Sequence, residues 1–131
     1  MSLIVYLPEI KEAGKRLQRM IGDLTCQDSI EIFFSLEKLD FRIRNSPRNG
    51  DIVLLFIANR KDLDELMPYR QIFDGMRIVT IVPDREKETV SKGHLFRPRY
   101  LSFKDSDFSD LSQVLKKLLN TNSPKDLMNT Y

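Results

Sequence analysis

The segment Ile52-Val53-Leu54-Leu55-Phe56-Ile57 is apolar without interruption. A strand with one face in water alternates apolar and polar side chains, so a strand with no polar position has to be covered on both faces. Such strands belong to parallel sheets, where each connection crosses over through a helix that packs on one side or the other. This one run confines the chain to a layered α/β architecture and predicts its central strand.

The remaining pattern fits around it. Leu3 to Leu7 is an apolar run stopped by Pro8. From about Glu9 to Leu24, the residues Ala13, Leu17, Met20, Ile21 and Leu24 recur at the spacing of one helical face. Ile30, Ile32, Phe33 and Phe34 predict a second strand, and Leu36, Leu39, Phe41 and Ile43 a short, irregular helix. Asn45-Ser46-Pro47-Arg48-Asn49-Gly50 is a breaker. Past the central strand, Leu63, Leu66, Met67, Ile72 and Phe73 predict a helix disturbed at Pro68 and closed by Gly75. Arg77 to Val82 is a further strand, ended by Pro83-Asp84. Arg85 to Gly93 is polar, a marginal helix or a mobile loop, and Tyr100-Leu101-Ser102-Phe103 is a short last strand. Ser106 or Asp107 caps a final helix bearing Leu111, Val114, Leu115, Leu118 and Leu119. Residues 121–131 are polar and read as a tail, leaving one domain over residues 1–120.

Strand and helix thus alternate five times. Right-handed crossovers leave few topologies at this size, and the simplest is a doubly wound five-stranded parallel sheet of order 2-1-3-4-5 in three α/β/α layers. Chemistry in such a sheet sits at the carboxyl ends of the strands.

The composition is that of an ordinary globular chain, 41% hydrophobic and 31% charged over 131 residues. Its 21 basic and 19 acidic residues leave a net charge of +2, which gives no general reason to expect nucleic acid or a membrane surface as partner. No apolar run approaches the roughly 20 residues of a membrane span. Met1-Ser2-Leu3-Ile4-Val5 enters a strand directly, without the features of a signal peptide, so a cytoplasmic location is expected. Cys26 is the sole cysteine and His94 the sole histidine, which excludes a cysteine metal cluster and gives a Ser-His-Asp arrangement no convincing base. Cys26 is expected to be structural and His94 a surface or loop residue. No G-x-G-x-x-G or G-x-x-x-x-G-K-S/T pattern follows a strand, so neither a dinucleotide nor a P-loop nucleotide is expected. Leu7-Pro8-Glu9-Ile10-Lys11 lacks the small polar residues that cradle a flavin phosphate, and no cofactor or metal is expected. Asn59-Arg60-Lys61-Asp62 is a cationic loop; an Asn helix cap is the plainer reading than an anion site.

The run Gly50-Asp51-Ile52-Val53-Leu54-Leu55-Phe56 resembles the third strand of response-regulator receiver domains, and the resemblance extends over roughly residues 3–120. It implies a CheY-like, flavodoxin-like fold. In receivers the last position of that run is the phosphorylated aspartate; here it is Phe56. The two acidic residues that hold magnesium after the first strand correspond to Tyr6 and Leu7, and the Ser or Thr after the fourth strand to Val82. The lysine after the fifth strand has a counterpart, Lys104, though Asp105 stands in place of the usual proline and Leu101 occupies the switch-aromatic slot beside Tyr100. Elementary chemistry agrees. Phosphotransfer to a carboxylate needs a nucleophilic oxygen and a divalent cation on hard oxygen ligands, and Tyr6, Leu7 and Phe56 supply no carboxylate.

The resemblance implies a pseudo-receiver: no enzyme, but a phosphorylation-independent module of two-component signalling and phosphorelay systems. Its expected partner is a protein, a second copy of the chain included. The expected face comprises Phe96, Arg97, Arg99, Tyr100 and Phe103, among the basic residues Arg85, Lys87 and Lys92. The alternative is a sensor holding an organic anion in a pocket lined by Tyr6, Phe56, Val82 and Lys104.

Overall fold

The computed structural model describes residues 2–24, 29–45 and 51–120. The elements run β1 (Ser2–Tyr6), α1 (Glu12–Gly22), β2 (Ser29–Phe33), α2 (Leu36–Asn45), β3 (Ile52–Phe56), α3 (Arg60–Leu66), β4 (Arg77–Val82), α4 (Lys87–His94), β5 (Tyr100–Phe103) and α5 (Ser109–Asn120). All pairings between these strands are parallel, in the order β2-β1-β3-β4-β5. The expected doubly wound, flavodoxin-like three-layer fold is therefore the observed one. Residues 121–131, Cys26 and residues 46–50 of the breaker lie outside the described residues.

β3 is buried at every position, as its unbroken apolar run requires. Its side chains divide by the strand period of two. Ile52, Leu54 and Phe56 join Leu3, Val5, Leu7, Val79 and Ile81 beneath Leu17 and Ile21 of α1 and Leu111 and Leu115 of α5. Val53 and Leu55 join Ile4, Tyr6, Ile78 and Val82 beneath Leu39 and Ile43 of α2 and Leu63 and Leu66 of α3. Burying a core side chain of this kind stabilises by about 1.5–3 kcal/mol, so the two apolar layers dominate the fold.

Several elements differ in detail from expectation. α2 is a regular ten-residue helix; Phe41 is simply not part of its inward stripe. Pro68 disturbs the third helix as foreseen: α3 ends at Leu66 and the chain continues as a 3-10 helix over Met67–Phe73. A tight helix accepts proline in its first turn, where no amide hydrogen is needed. Gly75, at φ +80, then turns the chain into β4. The polar segment after β4 is a helix, α4, whose inward residues are Thr89 and Gly93. A Cβ on Gly93 would stand 2.8 Å from Val82 Cγ1 and 3.0 Å from Leu101 Cδ1, so α4 lies against the sheet through the absence of a side chain. Of the two candidate caps of α5, Asp107 Oδ1 accepts from the amide of Ser109, the first residue of the helix, at 3.0 Å, while Ser106 Oγ accepts from the Phe108 amide just before it, also at 3.0 Å. Among the described residues, no helix is long and apolar enough to cross a membrane.

Candidate functional site

The carboxyl ends of the strands carry Tyr6, Leu7, Phe56 and Val82, all buried. Cα partners in a parallel sheet present their side chains to the same face, and the register separates these four residues. Tyr6 partners Leu55, one residue short of Phe56, while Phe56 itself partners Ile81, one residue short of Val82. Tyr6 and Val82 therefore face α2, α3 and α4, and Leu7 and Phe56 face α1 and α5. The expected pocket, lined jointly by Tyr6, Phe56, Val82 and Lys104, is not assembled in this way. Phe56 is 0% exposed and shares its cluster with Ala58, Ile81 and Phe108.

Lys104 follows β5 and turns back across the edge. Its Nζ donates to the main-chain oxygen of Ala58 at 2.9 Å and lies 3.8 Å from Glu9 Oε1. The segment that carries it is held from the opposite side. Arg16 of α1 donates to the Lys104 carbonyl at 2.8 Å and to the Ser106 carbonyl at 3.2 Å, with its guanidinium 5.4 Å from the Phe108 ring centroid. α1 also approaches the Glu9 loop closely, since a Cβ on Gly14 would stand 2.6 Å from the Glu9 carbonyl oxygen.

The electrostatics of this edge follow from burial and from acidic neighbours. Burial, with Asp62, Glu65 and Tyr69 adding to it, pushes the Tyr6 phenol up to about 12. Asp62 is likewise held above the ordinary aspartate value, first by burial and then by Glu65 and Glu9, against the pull of Lys61 and Lys104. Asn59 caps α3 as the sequence indicated, its Oδ1 accepting from the Asp62 amide at 2.8 Å. Among the described residues no three His, Cys, Asp or Glu side chains come together in a metal-holding group.

The expected interaction face needs a correction. Phe96 is 4% exposed and packs at 6.2 Å from the Phe73 ring, so it belongs to the core and not to the surface. Tyr100 and Phe103 are half-buried and lean on opposite layers. Arg85 covers Phe103, its guanidinium 4.2 Å from the ring centroid, and pairs with Asp105. Lys92 bridges to Asp64 of α3 at 3.0 Å and to Glu88 at 3.3 Å. Arg97 and Arg99 are exposed, as is His94. What remains at this face is cationic, without an exposed apolar centre in these residues.

Leu95, at the end of α4 beside this face, and Ile10 are exposed apolar residues, but the two most exposed lie at the other edge of the sheet, where the sequence pattern was not read as a surface. Phe41 is 69% exposed and Phe34 53%. Phe41 and Phe33 line a groove of about 470 Å³ between β2 and α2, with Glu37 and Lys38 at its side. The signal was present: at 3.6 residues per turn, Phe41 sits about 200° round the helix from Leu39, away from the stripe of Leu39 and Ile43. Beneath the groove, Arg42 forms a two-pronged pair with Glu31, at 2.9 and 2.8 Å, and reaches the buried Asp51 at 3.5 Å.

No protein-family model matches the chain, and none of the curated proteins compared with it matches either.

Proposed function

We propose that this chain is a degenerate receiver-like domain, a cytoplasmic, phosphorylation-independent protein-interaction module of signal transduction. The observation that carries the reading is Phe56. Where receivers present a nucleophilic carboxylate, this chain turns a wholly buried phenyl ring into the core. Phosphotransfer has no acceptor oxygen at that position. Lys104 supports the same reading, since its ammonium is engaged by the Ala58 carbonyl and lies beside Glu9. The exposed phenyl rings of Phe34 and Phe41 support a binding role, because an apolar patch rimmed by polar residues marks interaction surfaces.

The test is incubation with acetyl phosphate or beryllofluoride plus magnesium, read by intact mass and by an amide NMR fingerprint. The expected result is no adduct and no magnesium-dependent shift at the ends of β1, β3 and β5. A saturable shift around Phe56 and Lys104 would overturn the reading. The organic-anion alternative keeps one supporting observation, the Lys104 side chain still being 34% exposed at the sheet edge. A titration with small carboxylates that moves Lys104 and Ala58 without magnesium would favour it over the interaction module.

A further inference from the structure

β2 closes one side of the sheet, hydrogen-bonded to β1 and to no other described strand. Edge strands are usually protected by lysine, proline or a bulge. The run Ser29-Ile30-Glu31-Ile32-Phe33-Phe34 contains neither residue, and its one charge, Glu31, is paired with Arg42. Beside it lies the groove flanked by Phe41, so a strand edge with no second partner strand among the described residues and an exposed apolar helix face stand together. The opposite edge, β5, is preceded by Arg97-Pro98-Arg99, a proline and two exposed cations that discourage pairing there.

From this we infer that the β2–α2 edge binds a second copy of the chain, the two β2 strands pairing antiparallel about a twofold axis normal to the sheet. Such an axis keeps both α2 helices on one face of the continuous sheet and sets them antiparallel. With Ile32 at the axis, Ile30 meets Phe34 of the other copy on the α1 face, where every pair is apolar, and Glu31 meets Phe33 on the α2 face. Charge complementarity supports the same occupant. The solvent side of α2 carries Glu37 and Asp40 against Lys38 and Arg44, a sum of zero, so two copies meet without net repulsion. Glu37 lies in the first turn and Arg44, which also pairs with Asp40 of its own helix, in the last, so antiparallel helices bring Glu37 of each copy toward Arg44 of the other, with Phe41 between. A closed, isologous contact of this kind ends at two copies. The inference deepens the interaction-module reading by naming its partner. The phosphodonor test and the following one fail independently.

The experiment is sedimentation velocity on the full chain from about 1 µM to about 500 µM, where an association of ordinary strength is readable. Wild type is expected to reach twice the monomer mass. Glu37→Lys and Arg44→Glu are each expected to weaken association at least about tenfold, because each juxtaposes like charges at both symmetry-related contacts. An equimolar mixture of the two variants is expected to recover it, since a mixed dimer restores opposite charges at both contacts. Phe41→Ser is expected to abolish it, with an unchanged far-ultraviolet spectrum because Phe41 is outside the core. A wild-type chain monomeric throughout the range would overturn the inference. So would a dimer indifferent to all three substitutions, or a mixture that stays monomeric while each variant remains folded.

Discussion

The Lys104 ammonium donates to the Ala58 carbonyl across the carboxyl edge of the sheet, joining the end of β5 to the residue that leads from β3 into α3. A hydrogen bond to a charged group contributes about 1.5–3 kcal/mol when well shielded, and a side chain one-third exposed keeps part of that. Lys104→Met retains the apolar stem and removes the donor. It is expected to cost about 1 kcal/mol in urea denaturation with an unchanged denaturant slope. An unaltered midpoint would show that the lysine is not a structural strap.

Placing an aspartate at position 56 is not expected to create a phosphoacceptor. The Phe56 side chain points into the layer under α1 and α5, among Leu54, Ile81 and Phe108, where a carboxylate finds no solvent. Phe→Ala at such a site costs about 3–5 kcal/mol, and an uncompensated charge adds to it. Phe56→Asp is therefore expected to unfold at markedly lower denaturant concentration than Phe56→Leu and to take no phosphoryl group from acetyl phosphate. A stably folded, phosphorylated variant would show that the buried ring occupies an intact receiver site.

The fold was legible because its strongest signals are local and repeated: an unbroken apolar strand, helical stripes such as Leu111–Leu115, and breakers at Pro8 and Pro83. α4 was ambiguous because its inward face is Thr89 and Gly93, and a helix that docks through small residues leaves no apolar period to find. The site was less legible. Which face a strand-end residue takes depends on register, and a one-residue offset is enough to send Tyr6 and Phe56 to opposite layers. The basic cluster near β5 promised an open surface because sequence does not reveal that Phe96 folds inward against Phe73. The Lys104–Ala58 bond was out of reach for another reason: a main-chain carbonyl has no signature in sequence.

Tyr6 makes the carboxyl edge sensitive to alkali. Its phenol is held neutral in the fold up to about 12, first by burial and then by Asp62, Glu65 and Tyr69, against 10.0 for a free tyrosine. A raised folded value means that the native state keeps the proton more tightly than the unfolded chain. The resulting stability is complete below pH 10 and is lost as pH rises through 12. Two pH units correspond to about 2–3 kcal/mol. Wild type is expected to lose its advantage over Tyr6→Phe across that window, measured by urea midpoints, and one phenol is expected to titrate late at 295 nm. Parallel curves for the two proteins would refute the assignment.

Two glycines of α1 are expected to respond with opposite sign to the same change. Alanine is the better helix former by about 1 kcal/mol, so a glycine in open space gains by the substitution. Gly22 meets nothing within 4 Å where its Cβ would stand. Because it occupies the last residue of α1, where the chain is only partly constrained, Gly22→Ala is expected to stabilise by about 0.5 kcal/mol. Gly14 has the Glu9 carbonyl oxygen 2.6 Å away, a main-chain atom that cannot rotate aside. Gly14→Ala has to move either α1 or the Glu9 loop, and is expected to cost about 1–3 kcal/mol despite the better propensity. Moving that loop also draws Glu9 from Lys104, so amide shifts should extend to the turn after β5 in Gly14→Ala and remain confined to α1 and its C-terminal turn in Gly22→Ala. Equal thermal midpoints for the two variants would show that α1 does not hold the Glu9 loop in place.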